Sequence, residues 1–359
     1  MKRLIAASLL AASLSTPALA QRITEFPIAS TGGWPFGITV ERLNSLLVYT
    51  EYFGNKIGFM NTDGSLADVQ FGGTVHEISL PNPGSHPSYI CEGPDFSLWY
   101  TLPGVNHVGR IIMGDGSNVI YMTPEYTIPT ADSQPTYIGA LSDRRALASE
   151  LSGGKLVSIT WDGTVSELSP KTTDGGTNYV DATNPGLPLY TEPGASKIVI
   201  YDPFGGYMTE HAVTLGSNPT SVVKGPDGNY WVLEDGTNSV RRGFVGEGGV
   251  TFPIPTASSG PVRLINGPDG NLWFLETNFK NKLARVTPSG VITEYHLPGI
   301  PGDMVLGPDG NFWITEPAVD KILRFRPFVS GDVNGDGTVD VSDVFYVINF
   351  LFASGPAPQ

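Results

Sequence analysis

Two sets of carboxylates in this chain stand at spacings that could do chemistry. The first is dense. Residues 331–343 read GDVNGDGTVDVSD, which puts Asp332, Asn334, Asp336, Asp340 and Asp343 at loop positions 1, 3, 5, 9 and 12, with Gly337 at position 6. Oxygen donors at those intervals wrap a Ca2+ ion, the glycine allows the sharp turn, and Thr338 at position 7 would add its backbone carbonyl. Without a cation, so many acidic groups in one short run would repel one another. The second set is dispersed. Glu51, Glu150, Glu192, Glu234, Glu276 and Glu316 each close a short apolar run such as LLVYTE or NLWFLE, and Leu102 stands at the same place in SLWYTL. Five of these glutamates are followed, five or six residues on, by Lys56, Lys155, Lys197, Lys282 or Lys321. That spacing predicts Glu–Lys pairs across a hairpin, each worth little if exposed. After Glu234 the matching residue is Ser239. Its carboxylate therefore reads as the least neutralised, and Glu234 is the first candidate for a cation ligand or a catalytic group.

The elements that must position these groups are repeats. GPDGNYWVLE (225–234), GPDGNLWFLE (267–276) and GPDGNFWITE (307–316) are three copies of one phrase. With the closing glutamate, or Leu102, as the mark, seven copies appear, separated by 51, 48, 42, 42, 42 and 40 residues. Fifteen residues before the mark stands Pro87, Pro135, Thr177, Pro219, Pro261 or Pro301, and Pro35 lies sixteen before the first. Each copy holds four short strand-like runs separated by turn signals, and four strands in roughly 40–45 residues is the arithmetic of a propeller blade. The seventh copy lacks its fourth run, and RITEFPI (22–28) resembles VITEYHL (291–297) closely enough to supply it. The reading is an all-β, seven-bladed β-propeller over residues 21–327, closed by its own N-terminal strand. A linker (328–330) and a calcium loop with one helix (331–359) follow.

Bulk composition narrows the function. MKRLIAASLLAASLSTPALA (1–20) has a basic start, a short apolar run and a small-residue cleavage site near Ala20, which predicts a secretory signal peptide and an exported protein. No later run is long and apolar enough to predict a transmembrane span. A formal net charge of −14 argues against nucleic acid as a partner. Cys91 is the only cysteine, so no internal disulfide can form.

Strand order puts the start of each innermost strand and the closing glutamate at one mouth of the ring, with the Pro-Asp-Gly turns on the opposite face. The residues just after the opening prolines are Phe36, Ser88, Thr136, Asn178, Thr220, Val262 and Gly302. Ser88, Thr136, Asn178 and Thr220 make a polar arc facing the apolar Phe36 and Val262. Together with Glu150, Glu192 and Glu234 they would suit an amphipathic organic ligand such as a peptide, lactone or glycan.

The repeated words P-x-x-I, GPDG-N-L-W-F-x-E, N-K-I-x-R and I-T-E-F resemble those of the streptogramin lyase (virginiamycin B lyase) family, over about residues 22–327. The resemblance implies a seven-bladed propeller that opens a macrocyclic lactone by elimination with Mg2+ at the mouth. It also implies histidines directly after the opening proline and a glutamate closing W-F-x-E. Here none of the seven post-proline positions is histidine, and His76, His86, His107, His211 and His296 stand elsewhere. The acid–base pair that the resemblance calls for is missing. The tail resembles one repeat of a dockerin, a module that carries two. Its helix, VSDVFYVINFLF (341–352), is apolar nearly all round and must bury against the propeller, a second copy or a partner protein. The expectation is an exported ligand- or partner-binding propeller with a Ca2+-binding tail. The alternative is a lyase-type or lactone-opening enzyme using a metal ion at the mouth.

Overall fold

The computed structural model describes residues 22–114, 119–172, 175–182, 187–327 and 341–353. Seven antiparallel sheets stand in a ring. Blade 5 is typical, with strands Pro219–Lys224, Tyr230–Glu234, Ser239–Arg242 and Val250–Pro253 running from inside to outside. The second strand of each blade is buried along nearly its whole length rather than on alternate residues. Leu272–Glu276 and Phe312–Glu316 are buried at every residue, because a neighbouring blade covers each face of the sheet. Outer strands such as Ile292–His296 are only half-buried and carry polar residues. The core therefore lies in the seams between blades. In one seam Trp231, Leu233 and Val240 of blade 5 pack on Leu264, Leu272 and Phe274 of blade 6.

The glycine, aspartate and tryptophan of the repeated phrase have a local explanation. Gly228, Gly270 and Gly310 take φ of +79°, +71° and +73°, which a tight turn needs and other residues resist. The aspartate before each glycine turns inward. Asp227, Asp269 and Asp309 each accept a hydrogen bond from the buried indole N–H of Trp231, Trp273 or Trp313 at 3.0, 3.0 and 3.1 Å. The words Asp-Gly and Trp thus code for one unit, a turn that satisfies the polar atom of the residue packing beneath it.

The ring closes as the sequence predicts. Ile23–Pro27 pairs antiparallel with Lys321–Phe325, from Ile23 opposite Phe325 to Pro27 opposite Lys321, and becomes the outer strand of blade 7. Phe26 packs on Trp313 with ring centres 5.5 Å apart, under the guanidinium of Arg324. Two blades depart from the pattern. In blade 2 the outer strand is split into Ile120–Met122 and Tyr126–Thr127, and blade 1 carries an extra hairpin, Val69–Gln70 with Thr74–Val75. The tail forms one helix, Val341–Ala353, that exposes Phe345, Leu351 and Phe352. Among the described residues no helix is long and apolar enough to cross a membrane. The leader (1–20), the linker and residues 331–340 of the calcium loop lie outside the described residues. Asp332, Asn334, Asp336, Thr338 and Asp340 are among them. Asp343 sits buried in the first turn of the helix.

Candidate functional site: the two ends of one channel

The mouth assembles as strand order requires. Pro35, Pro135, Pro219 and Pro261 lie directly opposite Glu51, Glu150, Glu234 and Glu276. The post-proline residues are half-buried at this end, apart from the buried Ser88, and much of their polarity is spent on the seams. The Thr136 hydroxyl meets that of Ser149 at 2.8 Å, and the Thr220 hydroxyl donates to the Pro261 carbonyl at 2.5 Å. The carbonyls of Phe36, Ser88 and Thr136 accept from Thr315, Thr50 and Thr101 of the preceding blade. The Asn178 backbone N–H donates to the Thr191 carbonyl.

The closing glutamates share one end of the ring, but they do not face the ligand space. All six are fully buried. Each lies beneath the loop that feeds the innermost strand, as where Glu316 accepts from the Gly299 N–H at 2.8 Å. The Glu–Lys pairing is also corrected. Glu51, Glu150, Glu192, Glu276 and Glu316 do stand opposite Lys56, Lys155, Lys197, Lys282 and Lys321 in the backbone register. Each ammonium, however, reaches outward to a carboxylate of the fourth strand. Lys56 meets Glu77 at 2.7 Å, Lys155 meets Glu167 at 2.5 Å, Lys197 meets Glu210 at 2.5 Å, Lys282 meets Glu294 at 2.6 Å, and Lys321 meets Glu25 at 3.2 Å. A hydroxyl from Ser30, Thr130, Thr172 or Thr256 completes four of these sites.

The inner glutamates are left buried beside a satisfied ion pair. Burial pushes Glu51 and Glu276 up to about 8, and Glu150, Glu192 and Glu316 up to about 7, with the neighbouring outer carboxylate adding to the rise. Burial also raises Glu77 and Glu294, but hydrogen bonds, Lys56 or Lys282 among the donors, outweigh it and hold both below the ordinary range. Each cluster thus sets an ammonium against an outer carboxylate, beside an inner carboxyl that burial pushes toward its protonated form. The outer acids are the members that the sequence reading missed. They were readable as a glutamate recurring in the fourth run: HEI, SEL, TEH, TEY and TEF.

Glu234 is the exception, in the opposite sense to the one its sequence suggests. Its carboxylate accepts from the Thr214 N–H at 2.9 Å, the Thr214 hydroxyl at 2.9 Å and the Ser239 hydroxyl at 3.2 Å. It is the best satisfied of the six, not the least. Blade 2 retains part of the unit, since His107 contacts Glu125 at 2.9 Å. Among the described residues no three His, Cys, Asp or Glu side chains converge as a metal site. The mouth glutamates, held one per blade under separate loops, do not fit a shared Mg2+ ion. No histidine lines the channel cavity. His86 holds Nδ1 3.1 Å from the Tyr52 carbonyl, with its ring stacked on Tyr52.

One layer below the mouth the channel is crossed by side chains. Tyr89 and Tyr137 stack with ring centres 3.8 Å apart, Tyr179 meets Tyr137 edge-on at 4.9 Å, and Arg263 pairs with Asp303 at 2.8 Å. Beyond this layer a cavity of about 600 Å3 opens toward the hairpin-turn face. None of Phe36, Ser88, Thr136, Asn178 and Thr220 lines it. The tyrosines recur two residues after the slots at 87, 135 and 177, so this signal too was present in the sequence.

Two overlapping matches, over residues 15–205 and 191–335, join the chain to the sequence profile of the virginiamycin B lyase family. The chain belongs to the virginiamycin B lyase family. No curated protein sequence matches it. The crystal structure of virginiamycin B lyase from Staphylococcus aureus is similar, with 25% identity and a TM-score of 0.73 over 84% of this chain and 98% of that one. A catalytically inactive histidine-to-alanine variant of virginiamycin B lyase from the same organism, with quinupristin, gives 26% identity and a TM-score of 0.72 over 84% of this chain and 98% of that one. Hydrazine synthase of Kuenenia stuttgartiensis, with 14% identity and a TM-score of 0.65 over 83% of this chain and 96% of that one, shares the fold alone. Family membership fixes the architecture, and what a virginiamycin B lyase-like mouth does depends on the side chains placed there.

Proposed function

We propose that this member of the virginiamycin B lyase family is an exported binding propeller, for a small amphipathic ligand, a peptide or a glycan, rather than a lyase. The single observation that carries the reading is that none of Phe36, Ser88, Thr136, Asn178, Thr220, Val262 and Gly302 can move a proton near neutral pH. In the related Staphylococcus aureus enzyme, a histidine-to-alanine change accompanies loss of catalysis. A ligand at the mouth would meet the post-proline residues first. Glu150, Glu192 and Glu234 would influence it only through the loops above them.

The leader supports export. The tail is proposed to bind Ca2+ through Asp332, Asn334, Asp336, the Thr338 carbonyl, Asp340 and Asp343, and to present its helix for attachment or to a partner protein. Family membership is the observation that favours the other reading, a carbon–oxygen lyase or lactone-opening enzyme.

The test is to incubate the protein with quinupristin and Mg2+ and to follow the macrocycle by chromatography and mass spectrometry. Elimination within a ring gives an opened isomer of unchanged mass, and hydrolysis gives a product heavier by one water. The expected result is an intact macrocycle. Either product, formed in proportion to protein, would overturn the proposal.

A further inference from the structure

The cavity on the hairpin-turn face is separate from the mouth, and its floor is built. Arg263 lies in a bulge of the innermost strand of blade 6, between Val262 and Ile265, with φ at +55°. A left-handed arginine costs conformational energy, and such strain persists where the surroundings hold it for a purpose. Here they hold it from both sides. The next residue, Leu264, donates its N–H to the Ser221 hydroxyl of blade 5 at 3.0 Å. The Arg263 Nε donates to the Met304 carbonyl at 3.1 Å and lies 2.8 Å from Asp303. Asp303 is itself fixed, accepting from the N–H groups of Ile38 at 3.1 Å and Met304 at 2.8 Å. Four blades, 5, 6, 7 and 1, therefore cooperate to place one guanidinium in the channel.

Only Nε is used by these contacts. Nη1 and Nη2 make no hydrogen bond to a described residue, and Arg263 lines the cavity together with Tyr89, Tyr137 and Tyr179. Burial keeps all three phenols protonated, Tyr137 being pushed up to about 12. The floor is thus a set of donors. The walls are apolar, from Ile90, Ile138, Val180, Val223, Ile265 and Val305, and the rim carries the ion pair of Arg42 with Glu92. About 600 Å3 is the size of a small-molecule site.

A planar fork of N–H donors above apolar walls matches a carboxylate on an apolar body. Asp303 already offsets the arginine charge, and Glu92 and Asp181 also line the space. A singly charged head is therefore favoured over a phosphate dianion. We propose that this cavity binds a small monocarboxylate with an apolar body, head down on Arg263 and the tyrosine hydroxyls. The site lies at the opposite end of the channel from the mouth, so the inference goes beyond the reading above and is independent of it.

Benzoate and hexanoate, titrated calorimetrically into the full chain, test it, with benzyl alcohol and benzylamine as uncharged and cationic counterparts. The expected result is saturable 1:1 binding of the acids alone. Arg263→Lys, which keeps a cation opposite Asp303 but loses the fork, should weaken benzoate at least about tenfold. Tyr137→Phe, which keeps the ring stack, should weaken it less. Absence of saturable binding, or equal binding by wild type, Arg263→Lys and Tyr137→Phe, overturns the proposal. Macrocycle opening in the quinupristin test would instead overturn the binding reading and leave the benzoate result standing on its own.

Discussion

Lys282 stands opposite Glu276 in the backbone register of blade 6, yet its ammonium extends past that residue to Glu294, at 2.6 Å. The same displacement occurs in four other blades. It leaves five buried carboxyls whose protonated form the fold favours more strongly than the unfolded chain does. A carboxyl raised from its ordinary value to about 7 or 8 contributes stability that is fully present below about pH 4.5 and is lost as pH rises through 7 to 8. The outer acids Glu77, Glu167, Glu210 and Glu294, held below their ordinary value, act in the other sense and lose their contribution as pH falls through their folded values. The melting temperature should therefore peak on the acid side of neutrality and fall as pH rises toward about 8. Glu276→Gln should flatten that fall and be neutral or stabilising at pH 8.5. Glu294→Gln should destabilise at every pH above 5, since it strands Lys282. Thermal melts of the three proteins across pH decide it. Parallel curves for wild type and Glu276→Gln would contradict the assignment.

The indole–aspartate bond of the repeated turn should be separable from the turn itself. Asp269→Ala leaves the buried Trp273 N–H without a partner and should cost about 1–3 kcal/mol. The same change at exposed Asp63, whose carboxylate only holds the Ser65 N–H and hydroxyl of another turn, should cost less. Urea unfolding of both variants checks the difference.

Closure of the ring depends on a contact that glycine permits. A Cβ on Gly64, where φ is +91°, would come within 2.0 Å of the Phe26 ring. Gly290 stands in the same relation to Phe252. Gly64→Ala and Phe26→Ala should each destabilise by about 2–3 kcal/mol. They should also raise proteolysis near residue 22 before the rest of the ring opens. Cleavage kinetics at that site provide the readout.

The tail makes an independent prediction. Calorimetric titration should show one Ca2+ bound per chain. Asp336→Ala should abolish it, and chelation should leave the melting of the propeller unchanged. Loss of propeller stability on chelation would mean that the ion serves the ring rather than the tail.

The fold was legible because it is written seven times. A turn, an apolar run and a closing mark, charged in six of the seven copies, recur, and even the missing outer strand could be found at the other end of the chain as RITEFPI. The site was less legible for a physical reason. Backbone register follows from hairpin length, so Glu276 opposite Lys282 could be deduced. Side-chain partners depend on which carboxylate the ammonium can reach in a seam that only the ring creates. Glu234 was misjudged in the same way, because Thr214, which satisfies it, arrives from the preceding loop. Arg263 gave no signal at all, since neither its bulge nor its positive φ follows from PVRLIN. Tyr89, Tyr137 and Tyr179 did give one, as a residue type repeated at one offset in three blades.

The central claim is that this mouth binds without turning over, because no post-proline side chain can exchange a proton there. The most direct test is the rate at which a streptogramin-type lactone opens, measured with catalytic amounts of protein, with and without Mg2+, from pH 6 to 9. The account predicts the rate of the protein-free control at every pH. A rate proportional to protein concentration, with a pH profile showing a titrating group near neutrality, would contradict it.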